Sequence, residues 1–248
     1  MSWLSKLFGK QEPALSDYAD LGLDMHSHFI PGIDDGSKSL DDSEQMIRGM
    51  VELGYHTLIT TPHIMSDFYR NTPENILGGL EAVRNRLKEV GIQVEVRAAA
   101  EYYCDADFLS KIESAPLLTL KDNYVLFEVS YLNPPDNLND VIFALQSNGY
   151  KPVLAHPERY PFWFSNFTHY ESLRAKGVML QLNINSLTGH YSPATKKMAE
   201  QMIDRNMIDF VGSDCHHMGH QNLMRRALLE PKLRQVMESG MLKNTLLI

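Results

Sequence analysis

The chain has 248 residues, of which 44% are hydrophobic and 22% are charged, and its formal net charge is −8. This length suits one α/β barrel domain, a class that often runs to ~200–250 residues. The acidic balance disfavours a broad nucleic-acid interface, which needs clustered Lys and Arg, and no apolar run approaches the ~20 residues that a transmembrane helix requires.

Residues 1–20 are expected to form an N-terminal extension outside the main domain. Four apolar side chains there share one face of a predicted short amphipathic helix: Trp3, Leu4, Leu7 and Phe8. Docking of this helix on the protein's own surface is favoured over contact with a membrane or a partner.

From residue 21 onward, predicted strands and helices alternate along the chain. The strands are expected at 21–25, 56–61, 93–99, 124–129, 152–155, 178–184 and 208–211. The helices are expected at 40–53, 73–90, 105–114, 138–148, 170–176 and 193–205, with Asp41 or Asp42 as the cap of the first, and the chain after residue 223 is mainly helical. Strands that are each followed by a helix indicate a parallel sheet with crossover helices, so residues 21–248 are interpreted as a single α/β domain.

Nearly every predicted strand ends, at its carboxyl side, in a residue that can bind a cation. These residues are His26 and His28, His63, Glu101, Glu128, His156, and Asp214 and His216. Because the carboxyl ends of parallel strands meet on one face of a barrel, we expect these side chains to converge. A lone His at a strand end is more often only hydrogen-bonded, so the prediction depends on the ordered series and not on any single member.

The spacing of the paired motifs supports shared coordination. In an extended segment residues i and i+2 point the same way, so His26 and His28 can hold one ion, as can Asp214 and His216. An oxygen ligand from the Asp34-Asp35 turn lies within reach. An ion takes about four to six ligands, so the inventory predicts two or three divalent ions, with Zn, Mn or Fe favoured by imidazole and carboxylate donors.

Other hydrolytic schemes lack their motifs. Neither Cys104 nor Cys215 begins a C-x5-R phosphate loop, and the chain contains no G-x-S-x-G elbow, no P-loop and no H-E-x-x-H helix. A metal-activated water is the nucleophile that remains, which suits phosphoester hydrolysis. Two cysteines are also too few for a disulfide framework, so a reducing, cytoplasmic setting is expected.

Six segments together resemble the PHP (polymerase and histidinol phosphatase) superfamily, and more closely the bacterial tyrosine-protein phosphatases encoded in capsule and exopolysaccharide loci. The segments are DMHSHFIPGIDDGS at 24–37, TTPH at 60–63, AAAEYY at 98–103, LFEVS at 126–130, LAHPERY at 154–160 and GSDCHH at 212–217. The resemblance implies a distorted, TIM-barrel-like (β/α)7 barrel. It also implies nine metal ligands: His26, His28, Asp35, His63, Glu101, Glu128, His156, Asp214 and His216.

The resemblance also implies a substrate site. Arg159 matches a phosphate-binding arginine, with a structural ion pair as the alternative, and is assigned a catalytic role together with His156 and Asp214. A second arginine that the family often carries after its DxH motif is missing, and Arg70, or Arg225 and Arg226, could replace it. The aromatic run Tyr160, Phe162, Trp163, Phe164 is either a wall for a phenyl ring, which would make Tyr160 and Trp163 substrate-binding residues, or a hydrophobic lid on the barrel.

The expected function is therefore a metal-dependent protein-tyrosine phosphatase. The resemblance implies that its substrate is a phosphotyrosine protein, namely a membrane-associated bacterial tyrosine kinase that controls capsular or exopolysaccharide synthesis. The alternatives are a small-molecule phosphatase of the histidinol-phosphate type and a non-catalytic metal-binding regulator. No nucleic-acid partner is expected, the oligomeric state stays open, and Asp24 is expected to support the ligands rather than to bind metal.

Overall fold

The computed structural model describes residues 14–164 and 166–248, and within them all strand pairs are parallel. The strands are β1 (Leu23–Asp24), β2 (Thr57–Thr60), β3 (His63–Ile64), β4 (Glu95–Ala98), β5 (Glu101–Tyr103), β6 (Tyr124–Glu128), β7 (Lys151–Ala155), β8 (Met179–Asn183) and β9 (Phe210–Gly212). They form one sheet of order β1-β2-β4 and another of order β3-β5-β6-β7-β8-β9. The predicted parallel arrangement with crossover helices is confirmed.

Two of the seven predicted strands are each followed by a further short strand that the sequence did not predict. The second predicted strand contains β2, and β3 begins after Pro62, which has no backbone N–H to contribute to the ladder. The third predicted strand contains β4, and β5 follows it opposite that interruption. Hydrogen bonds from the Ala99 N–H to the Thr60 carbonyl (2.9 Å) and from the Glu101 N–H to the Pro62 carbonyl (3.1 Å) continue the pairing across the break. The two sheets therefore follow one another without a gap.

The first and last strands of the series are also joined. A parallel bridge links Ser27 to Cys215, directly beyond β1 and β9. The His28 N–H donates to the Cys215 carbonyl (3.0 Å), and the Asp214 N–H donates to the His26 carbonyl (2.8 Å). The HxH and DxH motifs are thereby held side by side through their backbones.

The helices are α1 (Leu40–Glu52), α2 (Pro73–Glu89), α3 (Phe108–Ser114), α4 (Leu138–Ser147), α5 (Phe167–Ala175), α6 (Pro193–Asp204), α7 (Met218–Ala227) and α8 (Pro231–Met237). The expected cap of α1 was wrong. Ser39 is the N-cap, and its hydroxyl accepts a hydrogen bond from the Asp42 N–H (3.1 Å), while Asp41 and Asp42 occupy the first helical turn. A serine hydroxyl at this position pairs with one of the unpaired N–H groups at the helix start.

The apolar core has two parts that reflect strand alternation. The larger cluster lies between strands and helices, and it contains Val125 and Phe127 of β6. The smaller cluster is formed by side chains of alternate phase, among them Tyr124 and Leu126 of the same strand. Glu128 is in phase with this second set, so the strand that packs an apolar cluster also directs a carboxylate to the same side at its carboxyl end.

The start of the described chain packs against the domain. Tyr18 is fully buried, its ring stacks on Tyr55 (5.2 Å between centroids), and its hydroxyl donates to the Met224 carbonyl (2.8 Å). The amphipathic helix expected near Trp3 and Phe8 falls outside the described residues. Among the helices of the described ranges, none is both long and apolar enough to span a bilayer.

Candidate metal centre and phosphate cleft

The structure brings the nine expected ligands together at the carboxyl ends of the strands. Eight of them form three overlapping groups in which the ligand atoms lie within 4.8 Å of one another: His28, Asp35, His63 and His216; His26, His28, Glu101 and Asp214; and His63, Glu101 and Glu128. The ninth, His156, directs Nε2 to Glu101 Oε1 (3.1 Å) and to Glu128 Oε2 (3.8 Å). It therefore lies beside the third group.

Glu101 lies at the centre of this arrangement and is fully buried. Its Oε2 atom is 3.1 Å from His26 Nε2, 3.6 Å from His28 Nε2 and 3.2 Å from His63 Nδ1. Its other oxygen faces His156. A carboxylate that presents its two oxygens to different imidazoles has the geometry of a bridging ligand.

The HxH pair is oriented by contacts behind it. The Nδ1 atom of His26 donates to the amide oxygen of Gln181 (2.8 Å), whose amide nitrogen donates to the Leu182 carbonyl (2.7 Å). The Nδ1 atom of His28 donates to Asp34 (2.8 Å). With the N–H on Nδ1, Nε2 of each ring carries the free electron pair. This is the usual arrangement for a metal-binding histidine.

Two imidazole nitrogens support the fit to a cation directly. His28 Nε2 and His63 Nδ1 are buried and make no well-aligned hydrogen bond among the described residues, although carboxylate oxygens lie 3.5 Å and 3.1 Å away, respectively. A buried polar atom is normally paired. Both atoms lie within the ligand groups, so a bound cation would explain why they are unpaired. Imidazole and carboxylate donors suit such an ion.

The two aspartates of the turn have different roles. Asp34 accepts from His28 and also from the Gly36 N–H (3.0 Å), so its carboxylate is already used. Asp35 is 3.5 Å from His63 Nε2 and 3.3 Å from His216 Nε2, and its side chain is 54% exposed. The geometry therefore supports Asp35 rather than Asp34 as the oxygen donor.

Asp214 connects the ligand cluster to Arg159. One carboxylate oxygen lies 3.4 Å from His26 Nε2 and 3.5 Å from His28 Nε2, while the other accepts from Arg159 Nη1 (2.6 Å) and from Asn183 Nδ2 (2.9 Å). The ion pair considered as an alternative for Arg159 is thus present. Arg159 nevertheless lines the open cleft, so the ion pair does not remove it from the site.

Two of the nine candidate ligands adopt left-handed backbone conformations, which residues other than glycine rarely take. His156 has φ +33° and Asp214 has φ +49°. Such residues each cost about 1–3 kcal/mol and persist where surrounding contacts enforce them, typically at functional sites. The enforcing contacts here are the Arg159 N–H to the His156 carbonyl (2.9 Å) and the Asp214 N–H to the His26 carbonyl.

The electrostatics of the cluster favour ionised carboxylates. Burial opposes ionisation of Glu101, but His26 and His63 outweigh it and hold the pKa of Glu101 well below its ordinary value. The same balance, with His26 and His216 as the main partners, lowers the pKa of Asp214. Conversely, burial disfavours the charged imidazole of His26, yet Glu101 and Asp214 raise its pKa to about 9. The cluster thus attracts positive charge, which protons or metal ions can supply.

Asp24 does not join the ligands. It is fully buried and accepts from the Ser213 N–H and the Ser213 hydroxyl, both at 2.8 Å. Burial raises the pKa of Asp24 to about 7. It anchors the segment that carries Asp214, in line with the supporting role expected from the sequence.

A cleft with a volume of about 340 Å³ opens above the candidate ligands. Its lining includes the ligand side chains Asp35, His63, Glu128, His156, Asp214 and His216, together with Met65, Tyr69, Tyr103, Ser130, Tyr131, Leu132 and Arg159. Charged groups and aromatic rings therefore share one opening.

The predicted aromatic wall does not contribute to this cleft. Tyr160 is fully buried, and its hydroxyl bonds to the Ala155 carbonyl (3.1 Å) and the Val129 N–H (3.2 Å). Trp163 is 5% exposed and stacks on His169. Both rings pack in the core, so the structure favours the lid alternative and does not support a substrate-binding role for either.

The arginines considered as replacements for the missing second arginine also lie elsewhere. Arg70 is exposed and donates to the Ser66 carbonyl (2.7 Å). Arg225 pairs with Glu52 (3.2 Å) on the surface of α7, and Arg226 is exposed on the same helix. Among the described residues, Arg159 is the one Lys or Arg that lines the cleft.

Sequence reasoning missed the contribution of β8, which carries no predicted ligand. Gln181 and Asn183 at its carboxyl end support His26 and Asp214 respectively. They have the same i, i+2 spacing that marks the histidine pair, so a search for amides as well as ligands at strand ends would have found them.

A family model described as "Capsular polysaccharide synthesis, CpsB/CapC" matches residues 22–238 of the chain. Tyrosine-protein phosphatase YwqE of Bacillus subtilis (strain 168) is 31% identical over 201 residues, which cover 81% of this chain and 79% of that protein. Tyrosine-protein phosphatase CpsB of Streptococcus pneumoniae is 28% identical over 202 residues, which cover 79% of this chain and 83% of that protein. The resemblance drawn from the six motifs is confirmed.

Solved structures agree with these matches. A chain from the crystal structures of YwqE from Bacillus subtilis and CpsB from Streptococcus pneumoniae, described as unique metal-dependent tyrosine phosphatases, aligns with a TM-score of 0.77 and 28% identity over 90% of this chain and 94% of that one. Histidinol phosphate phosphatase from Lactococcus lactis aligns with a TM-score of 0.53 and 14% identity over 83% of this chain and 93% of that one, which shows a common fold alone. The predicted fold class is confirmed.

Proposed function

We propose that this chain, which belongs to the CpsB/CapC family of capsular polysaccharide synthesis, is a metal-dependent phosphatase that hydrolyses phosphotyrosine in proteins. The observation that carries the proposal is the convergence of nine His, Asp and Glu side chains around Glu101, at the base of a cleft that Arg159 also lines. The names of the relatives, which are tyrosine-protein phosphatases, support it.

The charge of the site supports two ions, with room for a third. Four of the nine side chains are carboxylates: Asp35, Glu101, Glu128 and Asp214. Arg159 neutralises one and neutral imidazoles add no charge, so two divalent ions would more than offset the remainder and leave the site with a net charge of about +1. A phosphate dianion restores negative charge and favours a third ion. The donors suit Mn, Fe or Zn.

Individual ligand roles follow from which nitrogens are free. Because Nδ1 of His28 is bonded to Asp34, His28 offers Nε2 alone and can serve only one of the two groups that contain it. Glu101 presents both of its oxygens to imidazoles, whereas Asp214 offers one oxygen because the other accepts from Arg159 and Asn183. We propose the full set of nine as ligands, with Asp35 and His216 at the open side of the site.

Bound divalent ions would stabilise charge on the phosphoryl oxygens and lower the pKa of a coordinated water towards ~7. Arg159 binds the non-bridging oxygens of the phosphate through the N–H groups that Asp214 does not use, which suits its planar fork. Asp214 fixes the orientation of that guanidinium, and His156 is held in the same floor by Glu101. These positions support the catalytic assignment of Arg159, His156 and Asp214.

The proposed physiological substrate is a phosphotyrosine protein, specifically a membrane-associated bacterial tyrosine kinase of a polysaccharide locus. The capsular synthesis family and the phosphatase names of the relatives support this choice. A cytoplasmic location is proposed on the separate ground that Cys104 and Cys215 are both free and buried.

The test compares hydrolysis of a phosphotyrosyl peptide and of histidinol phosphate by the metal-loaded enzyme. We expect the peptide to be preferred, and chelation to abolish turnover. His156→Ala and Asp214→Ala should also abolish turnover while circular dichroism shows a folded chain, whereas the exposed-site control Asp136→Asn should behave as the parent. A strong preference for histidinol phosphate would favour the small-molecule alternative, and a folded, metal-loaded protein without activity on either substrate would favour the regulator.

A further inference from the structure

The upper part of the cleft carries three tyrosines, Tyr69, Tyr103 and Tyr131, none of which belongs to the ligand set. We propose that Tyr69 and Tyr131 bind the phenyl ring of the substrate and thereby select aryl over alkyl phosphate monoesters. This inference rests on the proposed phosphatase function and names the residues that determine its specificity.

Tyr131 contacts the floor of the site through its ring and through its hydroxyl, which lies 3.4 Å from His156 Nδ1. Its ring stacks on the imidazole of His156, with 5.8 Å between centroids and 23° between planes. The guanidinium carbon of Arg159 lies 5.0 Å from the centre of the same ring. Tyr131 nevertheless remains 39% exposed and lines the cleft, so part of its surface is open to a ligand whose phosphate reaches Arg159.

Two aromatic rings contact the guanidinium of Arg159. Tyr191 lies on the guanidinium at 4.1 Å from its ring centre, in addition to Tyr131. Tyr191 also accepts a hydrogen bond from Asn183 (2.9 Å), which fixes its ring. The phosphate-binding arginine and the ring of Tyr131 are therefore positioned together, so a ligand bound at one is placed beside the other.

Tyr69 repeats this pattern in a second loop. Its ring stacks on His63, with 5.6 Å between centroids and 16° between planes. The loop is closed by the Met65 N–H to Tyr69 carbonyl bond (2.8 Å) and anchored by the Ser66 N–H to Asp105 (2.9 Å). Each of the two tyrosines thus stacks on a candidate ligand histidine and also lines the cleft.

A cleft with a charged floor and aromatic sides matches a ligand that is a dianion at one end and an aryl ring at the other. Phosphotyrosine has this form, because its ring separates the phosphate from the peptide backbone. Phosphoserine places a single methylene there and leaves the two rings without a partner. An offset or edge-to-face aromatic contact favours the aryl ligand by about 2- to 12-fold per ring.

The experiment uses the metal-loaded full-length protein and two peptides of one sequence, phosphorylated on tyrosine or on serine. Tyr69→Ala and Tyr131→Ala should each lower kcat/KM for the phosphotyrosyl peptide by about 2- to 12-fold more than for the phosphoseryl peptide. Tyr69→Phe should keep the preference, since it retains the ring. Phe68→Ala is the matched control, because Phe68 is the 76% exposed neighbour of Tyr69 and does not line the cleft.

Binding provides a readout that does not require turnover. The parent should bind phenylphosphonate more tightly than methylphosphonate in calorimetry, and either alanine variant should reduce that ratio while its metal content stays at the parental value. Equal losses for both peptides, or for both phosphonates, would overturn the inference and indicate a structural role in holding His63 or His156. If the parent fails to hydrolyse the phosphotyrosyl peptide, the proposed function fails, and the phosphonate ratio still decides whether these tyrosines bind an aryl ring.

Discussion

Asp34→Asn tests the prediction that the ligand histidines are set by their supporting contacts. The Asp34 carboxylate accepts three hydrogen bonds, from His28 Nδ1 (2.8 Å), from the His63 N–H (3.3 Å) and from the Gly36 N–H (3.0 Å). The first two reach one oxygen and the third reaches the other. Burial opposes ionisation of Asp34, but His28 and the bond from Gly36 keep its pKa below the ordinary value, so the native group is a carboxylate.

Asparagine has one acceptor oxygen, so it cannot accept at both sides. If its oxygen stays on His28, its amide N–H₂ faces the Gly36 N–H, which loses its partner. Loss of charge assistance at His28 weakens metal binding by about 1 kcal/mol, which corresponds to roughly 5-fold in affinity. The unpaired Gly36 N–H lowers the stability of the fold by about 1 kcal/mol with or without metal. The loss of affinity is smaller than the roughly 10–100-fold effect of removing a partner of a metal-binding histidine, because asparagine keeps an acceptor at His28.

The measurement is a metal titration against a chromophoric competitor, with activity on a phosphotyrosyl peptide recorded at saturating metal. Excess metal should restore most of the turnover of Asp34→Asn, because the ligands themselves remain. Asp136→Asn, an exposed substitution of the same type, should leave the affinity unchanged. Metal affinity of Asp34→Asn within twofold of the parent would refute the reasoning, since the supporting contact would then have no effect on His28.

Three further outcomes are expected. Burial raises the pKa of Glu158 from 4.5 to about 7, so its stabilising effect is complete below pH 4.5 and disappears as the pH rises through 7. In urea unfolding of the chelator-treated chain, Glu158→Gln should therefore reduce the decline in stability between pH 4.5 and 8 by about 3 kcal/mol. Gly36→Ala should lower both stability and metal affinity, because a Cβ would lie 2.3 Å from the His28 carbonyl oxygen, whereas Gly78→Ala on α2 meets nothing within 4 Å and should not. Arg159→Lys keeps the charge but not the planar fork, so kcat/KM for the phosphotyrosyl peptide should fall by about 10- to 150-fold, and an unchanged value would contradict phosphate binding by Arg159.

The order of strands and helices and the position of the ligand candidates could be read from the sequence. Hydrophobic periodicity and the punctuating Gly and Pro residues are local signals, so seven strands with intervening helices follow from them. Because parallel strands place their carboxyl ends on one face, the one-dimensional series from His26 to His216 already predicts one cluster. The motif resemblance added Asp35 to that cluster, and the geometry beside His63 and His216 supports it.

The contacts that shape the site depend on pairs of residues far apart in the chain. Gln181 meets His26 across 155 positions, and Arg159 meets Asp214 across 55. The aromatic residues Tyr160 and Trp163, which follow Arg159 closely in the sequence, pack in the core. Tyr131, from another loop, reaches the cleft. Alternation along a segment indicates which side chains share a face. Which face meets which partner is decided only when the strands pack side by side, because burial and hydrogen bonding there act between segments and leave no local trace.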